Sequence, residues 1–509
     1  MSVAQICSRA QQGLAAPRVR VEVHLGPGLP SLTVVGLPAP AIRESRERVR
    51  AALVHSGYDF PAGRITVNLA PADLPKEGSR FDLAIALGIL IASDQLQPLP
   101  GLLDHCEVYG ELALTGELEP VPGLLLAGLH AGSARPLLAP TANAGDLARA
   151  GMQRARQVAT LREAAQALAV GWGEQLPEVG AATLLAPAGV SPDECANAGL
   201  HLVRGHAEAK VALAAAAVGG HSLLMVGPPG CGKSLLAHCL QGLLPPLTPS
   251  EAVEVATIRE LAAPSLQHRP LQRPFRSPHH TASAQAIVGG GAGATPGEVT
   301  LAHHGVLFLD ELPEFDRRVL ESLREPLETG VVRLARAARS VDYPAVFQLV
   351  AAMNPCPCGR AGMRGGCRCK PAAVRQYQNR LSGPFLDRMD ITLPLQRPTP
   401  IELLAAPDPP ETTRDLCRRV AMARVRQLQR QGCLNSRLPA QELERHCRLS
   451  GAARLKLTAG LAAQGLSGRG MHRVLRLARS LADLEGLEEI DEGGVSRALD
   501  WRPDRIFKD

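Results

Sequence analysis

HSLLMVGPPGCGKSLLAHCLQGLL, residues 221–244, is the stretch on which the reading of this chain turns. An apolar run of strand character meets Gly227, Pro228, Pro229, Gly230, Cys231, Gly232, Lys233 and Ser234, and an amphipathic helical pattern follows. This is the G-x-x-x-x-G-K-[ST] loop in its strand, turn and helix context. Its glycines let backbone N–H groups wrap phosphates, and the helix N-terminus adds partial positive charge. Lys233 is placed to reach the β and γ phosphates and Ser234 to hold Mg²⁺. Cys231 reads as a tolerated small side chain. The expected ligands are ATP and Mg²⁺, and the expected frame is an open parallel α/β sheet.

The second half of such a site is GVLFLDELPEF, residues 305–315. Four apolar residues end in Asp310 and Glu311, one carboxylate at a strand tip for Mg²⁺ and the next placed to polarise an attacking water. VFQLVAAMN, residues 346–354, brings Asn354 to the tip of another apolar run, where its amide can hydrogen-bond that water or the γ phosphate. NRLSGPFLDRMDI offers Arg380 and Arg388, and LSGRGMHRVLRLAR offers Arg469 and Arg473. An arginine supplied across an interface stabilises phosphoryl transfer, which implies a ring of subunits.

MNPCPCGRAGMRGGCRCK, residues 353–370, holds Cys356, Cys358, Cys367 and Cys369 in a chain with 12 cysteines. The pattern C-x-C-x8-C-x-C can surround Zn²⁺ tetrahedrally, and the glycines between the pairs allow the return. The spacing within each pair is shorter than the commoner C-x2-C. With all four ligand positions filled, the metal's role would be structural. His279-His280 and His303-His304 are also paired, but neighbours on a strand face opposite ways, so neither pair chelates by itself.

A chain of 509 residues allows about three domains and excludes a small disulfide scaffold. The start lacks the basic and apolar regions of a secretory signal, and the long uncharged stretch from Val211 to Pro229 is interrupted by glycines, prolines and His221. The expectation is a cytoplasmic protein with reduced thiols and no membrane segment. A net charge of +6 is too small to argue for nucleic acid. Its distribution says more: Arg418, Arg419, Arg424, Arg426 and Arg430 fall in one expected helix, and Arg333, Arg336 and Arg339 on one expected hairpin. Solvated faces explain either cluster equally well. Residues 1–168 alternate strand-like and helical runs, 169–197 read as a linker, 198–396 as a nucleotide-binding α/β core, and 397–509 as helical.

The chain resembles the magnesium-chelatase-like AAA+ ATPases of the YifB/ComM family. GLPAPAIRESRERVRAAL, RITVNLAPADLPKEGSRFDLAIALGIL, RPFRSPHHTASAQAIVGGG, PGEVTLAHHGVLFLDELPEF and SLADLEG carry the likeness. The resemblance implies a multidomain α/β protein: a Lon-protease-like (S5-like) N-terminal domain, a AAA+ P-loop core and a C-terminal helical lid. It makes Lys233 and Ser234 the Walker A residues, Asp310 and Glu311 Walker B, Asn354 sensor 1, Arg388 the arginine finger and Arg469 sensor 2. His206 and His304 depart from the family's usual glutamine and asparagine. PKEGSRFD is similar to the nucleophile region of Lon-type proteases, but Arg80 stands at the serine position and Leu125 at the lysine position, so no peptidase activity is expected. Ser79 lies one residue early. The resemblance implies a hexameric helicase acting on single-stranded or branched DNA, driving branch migration in natural transformation. The loops at 287–298 and 331–345 would grip phosphates. Two other classes remain: a chelatase motor inserting Mg²⁺ into a porphyrin, and a protein unfoldase. The latter usually carries an aromatic pore loop, and the glycine-rich insert here has none.

Overall fold

The computed structural model describes residues 3–37, 40–74, 76, 78–171, 199–262, 272–291, 295–336, 339–361 and 366–502. The expected linker lies outside them from residue 172 onward. Two compact units emerge, Met1–Ala186 with Pro249–Arg269, and Pro187–Thr248 with Pro270–Asp509.

In the first unit, period-two strands build a mixed seven-stranded sheet. Arg18–Gly26 buries Val19, Val21 and Val23 and turns Arg18 and Arg20 outward; Arg64–Ala70 buries Ile65, Val67 and Leu69. The sheet runs Ser31–Val35, Arg64–Ala70, Arg18–Gly26, Val3–Arg9, Glu107–Val108, Leu137–Pro140, Ala155–Val158. The strand Val3–Arg9, not singled out from sequence, pairs antiparallel with Arg18–Gly26 and parallel with Glu107. Its Arg9 holds the fully buried Glu107 through Nε and Nη2 at 2.8 and 2.9 Å, and the Tyr109 hydroxyl donates to the same carboxylate at 2.8 Å. Helix Asp82–Ala92 is buried at every position but Ile91. It lies so close to the sheet that a Cβ on Gly88 would stand 2.6 Å from Val23 Cγ2.

Arg80 is buried and donates through Nη2 to Gln11 Oε1 and to the Pro122 carbonyl, both at 2.8 Å. Leu125 is buried in helix Leu124–Ala131, and the Ser79 hydroxyl bonds Glu111. Helix Pro249–Ala262 falls in the stretch read from sequence as the nucleotide core, yet it belongs to the first unit. There Glu260, almost fully buried, accepts the Gly123 N–H at 2.7 Å. Burial and the neighbouring Asp146 push its carboxyl up to about 7, against the lowering pull of the Gly123 N–H and Arg80.

The second unit is built on a five-stranded, all-parallel sheet in the order Phe275–Arg276, Val306–Leu309, Gln348–Met353, Leu223–Val226, Ile391–Pro394. Its central strands are buried along their whole length, as continuous apolar runs covered on both faces must be. Helices Pro410–Gln431, Gly451–Gln464, Gly468–Glu485 and Glu492–Asp500 complete the C-terminal part. They surround a buried polar cluster in which Asp483 accepts from Arg430 at 2.7 and 2.9 Å, from Arg479 at 3.1 Å and from Asn435 at 2.8 Å. The arginine row of the first of these helices is partly tied to carbonyls: Arg419, Arg424 and Arg426 donate to those of Leu484, Ala217 and Asp483, while Arg418, Arg419 and Arg426 stay exposed and Arg418 pairs with Asp415. Among the described residues no helix is long and apolar enough to cross a membrane.

The raised carboxyl of Glu260 makes a signed prediction. A folded-state value above the unfolded one contributes stability that is full below the unfolded value, near 4.5, and is lost as pH rises through about 7. The effect is on the order of 3 kcal/mol across that window. Glu260→Gln keeps an acceptor for the Gly123 N–H and cannot ionise. Its melting temperature relative to the parent is expected to climb between about pH 5 and about pH 8. A pH-independent difference would contradict the assignment.

Candidate functional site

Three neighbouring parallel strands bring the site together at their carboxyl ends. Val226 is in register with Met353, and Leu309 with Ala351, so the loop after Leu223–Val226, Asn354, and Asp310 follow side by side. Ligands of open α/β sheets sit at this edge. The loop is locally determined. Gly230 and Gly232 have φ of +75° and +88°, and a Cβ on Gly227 would stand 2.8 Å from the Leu395 carbonyl and 2.9 Å from Cys231 Sγ. Cys231 is buried, and desolvation pushes its thiol up, which suits a packing role. Gly232 opens helix Lys233–Leu243.

Lys233 Nζ donates to the Gly227 and Pro228 carbonyls at 2.7 and 3.1 Å and to Asn354 Oδ1 at 3.2 Å. The Ser234 hydroxyl donates to Asp310 Oδ2 at 3.0 Å. Two oxygens on adjacent corners of a Mg²⁺ octahedron are about 2.9 Å apart, so this pair fits the ion. Glu311 takes a left-handed conformation, φ +54°, with its N–H on Asp310 Oδ1 at 2.9 Å. Its carboxylate faces His280 Nδ1 at 3.3 Å. His280 packs against His279 with ring centres 4.1 Å apart and presents an edge to Phe315. The sequence showed the histidine pair but no role for it; only the parallel pairing of Phe275–Arg276 with Val306–Leu309 puts the residues after Arg276 beside those after Leu309.

The four cysteines come together. The Sγ atoms of Cys356, Cys358 and Cys367 are mutually 3.5 Å apart, and all four lie within 4.8 Å of one another. Ligands of a tetrahedral zinc–thiolate site are about 3.8 Å apart, so the cluster can hold a metal ion. The Arg360 N–H, and after it that of Arg368, hold the Cys358 thiol down at about 6.

The candidate arginines differ in placement. Arg388 donates to the Pro384 carbonyl at 2.7 Å and pairs with Glu328; Arg380 pairs with Glu314 at 2.8 Å and donates to the Pro313 carbonyl at 3.1 Å. Arg469 is exposed. Burial pushes the Arg473 guanidinium down, and its Nη1 is buried without a hydrogen-bond partner among the described residues. His206 opens helix Ala207–Gly219 with φ +55°, and its Nε2 is likewise buried without such a partner. The expected hairpin forms as Val331–Arg336 against Arg339–Pro344, with Arg333 facing Asp342 at 3.5 Å; residues 337–338 at its tip, and 292–294 of the glycine-rich loop, lie outside the described residues.

Three family signatures cover most of the chain: magnesium chelatase, subunit ChlI, at residues 199–403; subunit ChlI of Mg-chelatase at 21–143; and the ChlI C-terminal region at 410–502. The chain belongs to the magnesium-chelatase-like AAA+ family. YifB of Escherichia coli is 44% identical over 510 residues, spanning 100% of this chain and 98% of its own length. The competence protein ComM of Haemophilus influenzae is 44% identical over 505 residues, 99% of this chain and 98% of its own. The magnesium-chelatase 67 kDa subunit of Heliobacterium mobile is 28% identical over 199 residues, 33% of this chain and 29% of its own. As a member of this family the chain is a AAA+ motor for ATP and Mg²⁺.

The His280 contact can be tested directly. His280→Ala is expected to lower maximal ATP turnover on the order of tenfold by releasing the Glu311 carboxylate, with ATP affinity held within about twofold. Steady-state turnover beside a fluorescent-nucleotide titration separates the two, and parent-like turnover would show that the contact is idle.

Proposed function

We propose that the chain is an ATP-hydrolysing motor that works in the cytoplasm as a homo-oligomeric, hexameric ring on single-stranded or branched DNA, driving branch migration during natural transformation. The observation that carries this reading is the end-to-end likeness to a protein named for competence, joined to the Ser234–Asp310 and Lys233–Asn354 contacts. Bound with the nucleotide, Mg²⁺ supplies charge neutralisation on phosphate oxygens. The chain's residues do the rest. The loop N–H groups and Lys233 hold the phosphates, Ser234 and Asp310 hold the ion, Glu311 takes the proton of the attacking water, and Asn354 orients it. Arg388 or Arg380 would act from a neighbouring subunit, and Arg469 or Arg473 from the C-terminal helices. The hairpin exposes Arg333 for phosphate contact.

Zn²⁺ on Cys356, Cys358, Cys367 and Cys369 is the structural metal of this reading. The N-terminal unit serves binding or ring assembly without peptidase activity, since a buried arginine and a buried leucine stand where Ser and Lys would be needed. The chelatase reading keeps one support, the partial match to the Heliobacterium subunit, which spans a third of the chain.

The decisive experiment is ATP turnover and resolution of a labelled four-way junction at low salt, for the parent and for Glu311→Gln. Fork, junction or single-stranded DNA is expected to raise parental turnover, with stimulation falling steeply as salt rises. Glu311→Gln is expected to bind ATP and stall, losing at least about a hundredfold in rate. Turnover indifferent to every DNA form would overturn the DNA reading, and stimulation by porphyrin would move the assignment to the chelatase class.

A further inference from the structure

The backbone of the cysteine loop reaches the phosphate-binding loop itself. Gly359 has φ +73°, and a Cβ there would stand 2.6 Å from Pro229 Cδ and 2.8 Å from Cγ, with Asn354 Cγ at 3.7 Å. Only bare backbone fits between the proline ring and the Asn354 amide. Gly359 is fixed from the cysteine side, since its N–H donates to the Cys356 carbonyl at 2.9 Å, while the Ala361 N–H reaches Cys356 Sγ at 3.3 Å. Cys356 is fully buried. The phosphate loop is held by the same segment at two more points, Gly227 N–H on the Met353 carbonyl at 3.1 Å and Lys233 on Asn354 at 3.2 Å. Arg397 closes the other side, donating twice to the Pro229 carbonyl at 3.1 and 2.9 Å.

We propose that the four-cysteine cluster is a metal-dependent positioning device for the phosphate loop: the bound metal fixes Gly359 against Pro229, so metal and nucleotide bind with positive coupling. The inference rests on the zinc reading given above and adds the coupling to it. Without a cation, Cys356 would hold Gly359 and its neighbours through thiol contacts and the Gly359 and Ala361 N–H bonds alone, and the order of Gly359 would have to be supplied when nucleotide arrives. Metal binding supplies that order beforehand. Linkage then requires the reverse effect, nucleotide tightening the hold on metal by the same factor.

The test uses the full chain purified without chelators. Zinc content is measured first, then the equilibrium distribution and release of Zn²⁺ to a zinc-selective chromophoric chelator, with and without Mg²⁺ and a non-hydrolysed ATP analogue. The expected result is about one zinc per chain, and retention strengthened about tenfold by the nucleotide, within the usual range of such couplings. Lys233→Ala, which removes a phosphate contact, should abolish that strengthening. Gly359→Val is expected to keep its zinc, bind nucleotide about tenfold more weakly, and lose the nucleotide effect on zinc retention. A parent without zinc ends the metal reading and the coupling with it. A zinc-loaded parent whose retention ignores nucleotide ends the coupling alone, and that measurement does not depend on how any variant folds.

Discussion

The register of three buried parallel strands is the constraint on which the site depends. Leu223–Val226, Gln348–Met353 and Val306–Leu309 are bonded in that spatial order, and neighbouring strands are about 4.8 Å apart, so the residue after each strand lies within side-chain reach of the next. Lys233 meets Asn354 for that reason, and the phosphate loop carries Ser234 past the end of the central strand to Asp310, 76 positions away in sequence. Burial on both faces makes a slip expensive, because it would draw apolar side chains out of a packed layer and push the polar strand ends into it. Within one chain, strand order and the phosphate loop suffice to bring Lys233, Ser234, Asp310 and Asn354 together.

The C-terminal helices share one apolar core with that sheet, and a buried polar cluster lies within it. His221, just before the phosphate-loop strand, contacts the Ser480 hydroxyl at 2.7 Å and Asp390 at 3.3 Å. Burial alone would push the Asp390 carboxyl up; the His221 hydrogen bond and the charges of His221 and Arg473 prevail and hold it below its ordinary value. Ser480 also accepts from Asn435, which belongs to the Asp483 cluster with Arg430 and Arg479. Such clusters add little net stability over apolar packing, since each ion loses its hydration. Their effect is to make one docking of helix on sheet better than its neighbours: a shifted helix would strand a buried carboxylate between unpaired guanidiniums.

The sequence made the local features legible. Apolar strands, the glycine loop and the adjacent carboxylates are contiguous patterns whose physics acts within a few residues. The misses are matters of tertiary partnership. Val3–Arg9 alternates well enough for a strand, but polar Gln5, Ser8 and Arg9 disguise a place in the middle of a sheet, and the reason Arg9 can be buried is Glu107. Helix Pro249–Ala262 is readable as a helix, yet nothing in its own pattern says that Glu260 will end on the Gly123 amide. The arginine row at 418–430 was open between a solvated and a binding face, and spacing could not reveal that Arg424 and Arg426 donate to carbonyls while Arg418, Arg419 and Arg426 stay exposed. His280 was visible as a residue and invisible as a partner of Glu311 until strand order placed it there.

In the proposed ring, the arginine that would serve a neighbouring subunit must first leave its own chain, because both candidates are engaged there. Arg380 is about half exposed and holds Glu314, itself 44% exposed, a pair of the kind worth about 0–1 kcal/mol in water. Arg388 is only 13% exposed, tied to Glu328 and to the Pro384 carbonyl, while its Nε is buried with no hydrogen-bond partner among the described residues. Extending Arg388 outward gives up two contacts and relieves one orphaned donor; extending Arg380 gives up a weak pair and a carbonyl contact. Arg380 is therefore the less costly to recruit, and through Glu314, three residues past Glu311, its position follows that of the turn carrying the carboxylate. Arg388 is the more firmly preset. A neighbour that draws on Arg388 must bring enough negative charge to replace Glu328, which a triphosphate does and its hydrolysis product does less well.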